Sequence, residues 1–238
     1  IGVRLVGSEM CIRDRNSIIM RRLSVSNLNA QRFKFMPFLG EWKRILGDQE
    51  RKGCWLIYGK EKNGKSTFAL NLANDLSKIE PVLYISAEEG TGSSYTKAVN
   101  RVGIQDTNRN FHSWPFVSID DLREEIKNNR KCEKIIFIDN LTVYTDLKKD
   151  DIITLLQDFP KVLFVFLAHE DERGEPLGAP ATIAKQMAYA YFHVKGKAAY
   201  ATVRGGKNER IDIDEETASL IHGDKTDFSR QTLQNSEI

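Results

Sequence analysis

The stretch YGKEKNGKST, residues 58–67, follows a short apolar run and decides the fold. Residues 59–66 match the pattern G-x-x-x-x-G-K-[ST] without a gap. In such a loop the glycines let the backbone curl so that its N–H groups face phosphate oxygens, and the following helix adds its positive amino end. A buried-strand pattern precedes the loop at residues 54–59, and apolar residues at helical spacing follow it at residues 66–76. This context indicates a phosphate-binding loop.

The loop offers a complete set of groups for a nucleoside triphosphate with magnesium. Lys65 is expected to reach the β- and γ-phosphates, and the Ser66 hydroxyl is expected to bind Mg²⁺. The residues expected to hold the nucleotide are Gly59, Lys60, Glu61, Lys62, Asn63, Gly64, Lys65, Ser66 and Thr67. ATP and Mg²⁺ are therefore the predicted ligands. The alternative is a glycine-containing loop with fortuitous lysines, which the flanking strand and helix argue against.

Composition excludes several classes of protein. The 238 residues include 35 basic and 33 acidic ones, and a net charge of +2 is too small to predict a nucleic-acid partner by itself. The three cysteines lie far apart without a CxxC pair, which excludes a zinc ribbon and favours a reducing, cytoplasmic setting. No apolar stretch approaches the roughly 20 residues that span a bilayer, so we expect no membrane partner.

Strand-like and helix-like segments alternate after the loop. The strand-like runs are PVLYIS (81–86), FHSWPF (111–116), KIIFID (134–139) and KVLFVFLA (161–168), and helical segments are predicted at 93–102, 118–129, 150–158 and 181–188. The main runs are continuously apolar, as a parallel sheet covered on both faces requires. Two later segments share a Gly-Lys turn at 196–197 and predict an antiparallel hairpin. We predict an α/β fold with a mainly parallel central sheet, flanking helices and a carboxyl-terminal antiparallel hairpin.

Carboxylates follow two of the predicted strands. Asp139 ends KIIFID, and from the end of a parallel strand its side chain can hold Mg²⁺ through water beside the loop. Glu88 and Glu89 follow PVLYIS and are placed to orient a water on the γ-phosphate. The alternatives are a helix cap for Asp139 and a solvated loop for the two glutamates. Strand ends carry function in this architecture, which favours the catalytic interpretation.

Motif order and spacing over residues 38–214 resemble the RecA-like P-loop ATPases, the superfamily of RadA/Sms, DnaB and KaiC-like proteins. That family carries its catalytic glutamate at the tip of the second strand, which by counting from Tyr84 selects Glu88. Glu89 is the alternative, because KaiC-like members carry two such acids in a row. Residues 164–196 look like the RadA/Sms version and imply that His169 senses the γ-phosphate, although a histidine that only caps a strand fits as well.

The segment RGGKNER (204–210) resembles the Lys-Asn-Arg element that follows the hairpin in RadA-like proteins. There a basic residue reaches the active site of the neighbouring subunit. The resemblance implies a homo-oligomer, either a ring or a filament, in which Lys207 with Arg210 or Arg204 supplies charge in trans. Glu209, inserted before Arg210, departs from that element, and a solvated turn is the alternative.

The resemblance divides the chain into four parts. Residues 1–19 are predicted to be a leader, adapter-derived or disordered, because residues 4–15 resemble a peptide that recurs when sequencing-adapter DNA is translated. Residues 20–50 lead into the RecA-like ATPase domain at 51–221, and the polar residues 222–238 are expected to be a flexible tail.

The resemblance implies a Mg²⁺-dependent ATP hydrolase and leaves its target open. One hypothesis is an oligomeric motor or clamp on single-stranded DNA in recombination, repair or replication, like single-domain AAA family ATPases of phage type. Tyr144, Lys148 and Lys149 could then supply stacking and phosphate contacts, whereas the acidic stretch 170–179 repels phosphates. The alternative is a KaiC-like nucleotide-switched regulatory or assembly ATPase without a DNA substrate. A small-molecule kinase fits poorly, because neither an arginine-rich lid nor an acceptor pocket is recognisable.

An aromatic cluster precedes the first strand. The segment QRFKFMPF (31–38) interleaves basic and aromatic residues and could bind nucleic acid or a neighbouring subunit. We expect instead that Phe33, Phe35 and Phe38 pack against the core.

Overall fold

The computed structural model describes residues 22–223, so the predictions for the leader and for residues 224–238 of the tail lie outside the described residues. Residues 22–33 belong to one unit and residues 34–223 to another. The first unit contains helix α1 (Val25–Asn29), which begins after Ser24 because the Ser24 side chain accepts a hydrogen bond from the Asn27 N–H at 3.2 Å.

In the second unit eight strands form one sheet in the order β3-β2-β4-β5-β1-β6-β7-β8. Their bounds are β1 (Gly53–Gly59), β2 (Val82–Ser86), β3 (Phe111–Trp114), β4 (Ile135–Asp139), β5 (Leu163–His169), β6 (Ala190–Lys195), β7 (Ala198–Val203) and β8 (Glu209–Asp212). All neighbours from β3 to β6 are parallel, whereas β7 runs antiparallel to both β6 and β8. The predicted fold class and hairpin are confirmed.

Helices cover both faces of the sheet. They are α2 (Gly40–Leu46), α3 (Lys65–Ser77), α4 (Ser93–Arg101), α5 (Ile119–Asn128), α6 (Lys149–Asp158), α7 (Ala179–Met187) and α8 (Glu215–His222), with a 3₁₀ turn at Leu141–Val143. One buried apolar cluster packs β1 through Trp55 and Ile57 against α2, α3 and α4, and a second packs it through Leu56 against α5, α6 and α7. Burial on both faces explains why these strands are apolar throughout. Within residues 22–223 no helix is long and apolar enough to cross a membrane.

The packing of the aromatic cluster before β1 differs from the expectation. Met36 and Phe38 are buried, but Phe35 is 45% exposed, so the prediction for Phe35 is wrong. Phe33 belongs to the first unit, and its packing against the core stays a prediction. Residues 34–36 are extended, since Phe35 pairs with Glu50 and the Met36 N–H donates to the Gln49 carbonyl at 2.8 Å. Successive side chains of an extended segment point to opposite sides, which buries Met36 and leaves Phe35 outside.

The strand order brings the ends of four strands to one edge. Strand β1 lies between β5 and β6, Gly59 is level with His169, and Ser86 is level with Asp139. The loop after β1, the end of β5, the end of β4 and the residues after β2 therefore meet at the carboxyl edge of the sheet, where open α/β sheets bind ligands.

Candidate active site

A cavity of about 390 Å³ opens at this edge. Its lining residues are Glu61, Lys62, Gly64, Lys65, Ser66, Thr67, Glu88, Glu89, Asp139, His169 and Lys197. Every predicted catalytic and metal-binding residue except Lys207 and Arg210 is present in this set. Sequence reasoning did not single out Lys197.

The residues of the phosphate-binding loop divide into two groups. Glu61, Lys62 and the residues from Gly64 to Thr67 line the cavity, and α3 begins at Lys65. The Phe68 N–H donates to the Gly64 carbonyl at 2.9 Å, so the N–H groups before Phe68 are the first-turn donors that a helix leaves without an intrahelical acceptor. Such donors together with the helix dipole form an anion site.

The remaining loop residues shape the loop. A Cβ atom on Gly59 would lie 2.1 Å from the Val194 carbonyl oxygen, so a glycine is needed for the close approach of β6. The Lys60 carbonyl accepts a hydrogen bond from Lys65 Nζ at 3.0 Å, and Asn63 Oδ1 accepts one from the Gly196 N–H at 2.9 Å.

Lys65 is a buried cation in the lining of the cavity. Its Nζ lies 3.2 Å from His169 Nδ1. Burial lowers the pKa of Lys65, and the nearby carboxylates of Asp139 and Glu88 act in the opposite direction. A buried ammonium group with an incomplete set of acceptors suits a polyanionic ligand.

Asp139 and Ser66 form the candidate magnesium site. Asp139 is buried, and its Oδ2 accepts a hydrogen bond from the Tyr84 hydroxyl at 2.7 Å. Burial raises the pKa of Asp139 from 3.8 to about 6, and the charge of Glu88 also raises it. The hydrogen bonds from Tyr84 and Ser66 lower the pKa and offset part of this shift. A divalent cation would relieve the cost of burying this charge.

The donor set fits magnesium. Hydroxyl and carboxylate oxygens are ligands that Mg²⁺ prefers, and the ion usually takes one or two of them with waters and substrate phosphates. Among the described residues no group of three or more His, Cys, Asp and Glu side chains could hold a metal.

The two glutamates after β2 are held differently. Glu88 Oε2 accepts a hydrogen bond from Asn140 Nδ2 at 3.0 Å and lies 3.6 Å from His169 Nε2. Glu89 Oε2 instead accepts one from Ser94 Oγ at 3.1 Å, near the start of α4. Glu88 is therefore the carboxylate held beside Lys65 and His169. Sequence reasoning missed Asn140, whose only signal is its place directly after Asp139.

His169 joins Lys65 to Glu88 through its two ring nitrogens. The end of β5 that carries it is fixed, because Glu170 Oε2 lies 2.8 Å from His193 Nε2 in β6. A group bound at Lys65 would therefore also meet the histidine that contacts Glu88.

The chain is similar to known proteins in part of its sequence and in its fold. Residues 51–162 match the model of a family described as AAA domain. The fold is similar to that of a KaiC-like protein from the hyperthermophilic archaeon Pyrococcus horikoshii OT3, with a TM-score of 0.53 and 15% identity over 75% of this chain and 93% of that chain. The chain has a RecA-like fold.

Two further solved structures share the RecA-like core. The ATPase domain of G40P has a TM-score of 0.50 and 16% identity over 68% of this chain and 81% of that one. The flagellar accessory protein FlaH from Methanocaldococcus jannaschii has a TM-score of 0.53 and 14% identity over 75% and 92% of the two chains. A search of curated proteins found no match in sequence.

The RecA-like core does not bring Arg210 to its own cavity, and it buries the side chain. Arg210 is 4% exposed, its Nε lies 2.8 Å from Asp212 Oδ1, and its Nη1 donates to the Gly223 carbonyl at 2.8 Å. A side chain that acts in trans must be accessible, so the role of Arg210 in trans, which stays a prediction, is disfavoured by its burial. The reason is that β8 joins the sheet, which the sequence did not indicate.

Lys207 also lies away from the cavity of its own RecA-like core, but it is exposed. Its backbone N–H donates to the Ile45 carbonyl at 3.2 Å, which holds the residue at the surface. Its action on a neighbouring subunit stays a prediction. The guanidinium of Arg204 lies over the Tyr189 ring, 5.2 Å from its centroid.

Of the two stretches considered for DNA, the first differs from the sequence expectation at one residue. Tyr144 is buried and stacks on Phe116 with 5.0 Å between ring centroids, so its predicted use as a stacking platform is wrong. Lys148 and Lys149 are exposed. The acidic stretch 170–179 is internally bonded, because Asp171 Oδ1 accepts hydrogen bonds from the N–H groups of Arg173 and Glu175 at 2.8 and 2.9 Å.

Proposed function

We propose that this protein is a Mg²⁺-dependent ATP hydrolase with Glu88 as its general base. The observation that carries the proposal is the position of the Glu88 carboxylate, held by Asn140 and His169 in the cavity that Lys65 and Ser66 line. Nucleotide binding alone would not require a carboxylate there, because a carboxylate repels phosphate. A base that activates water does require one.

Hydrolysis then follows from the roles of these side chains. The loop N–H groups and Lys65 hold the terminal phosphates and stabilise the charge that develops on them. Glu88 accepts a proton from a water whose oxygen bonds to the γ-phosphorus, while the bond from that phosphorus to the β–γ bridging oxygen breaks. The products are ADP and inorganic phosphate. A magnesium ion held by Ser66 and Asp139 would neutralise part of the phosphate charge.

Three substitutions test this assignment. Lys65→Ala is expected to abolish turnover, because the phosphates lose their central cation. Glu88→Gln should keep ATP binding, measured by calorimetry, and lower turnover by about 10²–10⁴-fold, the usual contribution of a general base. Glu89→Gln removes the same charge one residue later and should lower turnover much less. If Glu89→Gln stops hydrolysis and Glu88→Gln does not, the assignment of the base is wrong.

We propose that hydrolysis takes place in a homo-oligomer that acts on single-stranded DNA. Lys148 and Lys149 support this target, because they are exposed at the start of α6 and can contact phosphates. The assay is the ATPase rate with and without single-stranded DNA at two salt concentrations, and stimulation that fades with salt is expected. The double variant of Lys148 and Lys149 to Ala should lose the stimulation, whereas a control pair with equal charge change, Lys127 and Lys131 to Ala, should keep it.

The alternative is a KaiC-like regulator, in which hydrolysis changes contacts between protein subunits and no DNA is involved; a KaiC-like protein is among the structural neighbours. A rate that does not respond to single-stranded DNA, together with a molar mass by light scattering that changes between ATP and ADP, would support this regulator and contradict the DNA target.

A further inference from the structure

A lysine in the β6–β7 turn reaches the phosphate-binding loop from outside the nucleotide motif. Lys197 lines the cavity, and its Nζ donates a hydrogen bond to the Lys62 carbonyl at 3.1 Å. Its Cδ would lie 3.5 Å from a Cβ atom on Gly64. Lys65 makes the equivalent bond to the Lys60 carbonyl. Two ammonium groups from separate elements therefore contact alternate carbonyls of one loop.

The backbone of this turn is fixed from both sides. The Gly196 N–H donates to the side chain of Asn63 in the loop, at 2.9 Å. On the other side, the Ile213 N–H after β8 donates to the Lys197 carbonyl at 2.8 Å. The ammonium group is therefore positioned before any ligand arrives, which lowers the ordering entropy that binding requires.

The residue type at position 197 is unfavourable for the turn itself. Gly196 and Lys197 have φ angles of 54° and 62°, the left-handed conformation of a two-residue hairpin turn that favours glycine or asparagine at both positions. Lysine in this conformation is less favourable than glycine, because its Cβ atom crowds the backbone. The side chain that causes this cost lines the cavity, a pattern typical of functional positions.

The cavity contains more acidic than basic groups besides Lys197, so the ammonium group of Lys197 would help to balance a bound nucleotide. Glu61, Glu88, Glu89 and Asp139 contribute four carboxylates, and the loop itself contributes the two lysines Lys62 and Lys65. A nucleotide adds several more negative charges to the same space. An ammonium group carries three N–H donors, so Lys197 can keep its bond to the loop and still donate to a phosphate oxygen.

We propose that Lys197 is a phosphate-binding residue that acts in cis on the nucleotide. From the hairpin turn, Lys197 supplies a second positioned cation in addition to Lys65. This inference rests on the proposed function, since it requires a nucleotide in the cavity.

The test is calorimetric titration of the full chain with ATP and with ADP in Mg²⁺. Lys197→Gly suits the turn and removes the ammonium group, so the variant is expected to fold and to bind ATP about tenfold to a hundredfold more weakly. Lys197→Asn, which also tolerates this conformation, should behave in the same way. Lys197→Arg should retain most of the affinity. Lys195→Ala changes the charge equally at an exposed position two residues away and should bind as the wild type does.

The outcomes separate this inference from the proposed function. If the wild type binds no nucleotide, the proposed function fails and this inference fails with it. If the wild type binds ATP and the Gly and Asn variants bind it equally well, only the role of Lys197 is wrong. A changed unfolding temperature with unchanged affinity would also overturn it, because the lysine would then serve only to hold the turn against the loop.

Discussion

The buried carboxylate of Asp139 should make the unliganded protein less stable as the pH rises. Burial raises its pKa from 3.8 to about 6, so the folded protein holds a proton that the unfolded chain has already lost. The stability that this proton contributes is fully present below about pH 4 and is lost as the pH rises through about 6. Each pKa unit corresponds to about 1.4 kcal/mol, which gives about 3 kcal/mol in total and about 2 kcal/mol between pH 4.5 and 7.5.

The variant Asp139→Asn isolates this effect, because it keeps the shape and cannot ionise. Urea unfolding with EDTA at pH 4.5, 5.5, 6.5 and 7.5 gives the free energy of unfolding of both proteins. The wild-type value minus the variant value should fall by about 2 kcal/mol over this range. Adding Mg²⁺ and ATP at pH 7.5 should stabilise the wild type more than the variant. A difference that is constant with pH, or that rises with pH, would refute the reasoning.

Three further substitutions test individual packing claims. Gly59→Ala places a methyl group against the Val194 carbonyl, and we expect a loss of more than about 3 kcal/mol in the free energy of unfolding by urea. Arg210→Ala removes the ion-pair partner of the buried Asp212 and should lower the free energy of unfolding by about 3–5 kcal/mol. Unchanged stability with lost turnover would instead support a catalytic role for Arg210. Tyr144→Phe removes a buried hydroxyl that has no hydrogen-bond partner within residues 22–223, so unfolding and DNA response should both stay within error of the wild type.

The parts of the fold that could be predicted depend on short stretches of chain. A continuous apolar run followed by glycines indicates both the strand and the loop, and Asp139 can be recognised because it ends such a run. The 196–197 turn could be predicted because its two residues connect two strand-like segments directly. These features are local, so one sequence contains enough information for them.

The residues that were missed depend on strand order. Lys197 reaches the loop only because β6 lies beside β1. The sequence of neither strand indicates that the two are neighbours. The burial of Arg210 could not be foreseen for the same reason, since it depends on the pairing of β8 with β7. Tyr144 has the composition of a binding residue, but its ring is covered by Phe116, which lies far from it in sequence.

The fixed spacing between base and metal site follows from the backbone. The N–H groups of Ala87 and Glu88 both donate to the Asp139 carbonyl, at 2.6 and 3.1 Å, so the tips of β2 and β4 are joined where their catalytic side chains begin. Asn140, the next residue, then donates to the Glu88 carboxylate. One short segment therefore orients the proposed metal-binding carboxylate and the proposed base together. A substitution such as Asn140→Ala should accordingly lower turnover while leaving ATP affinity unchanged, because it frees the base and leaves Asp139, Ser66 and Lys65 in place.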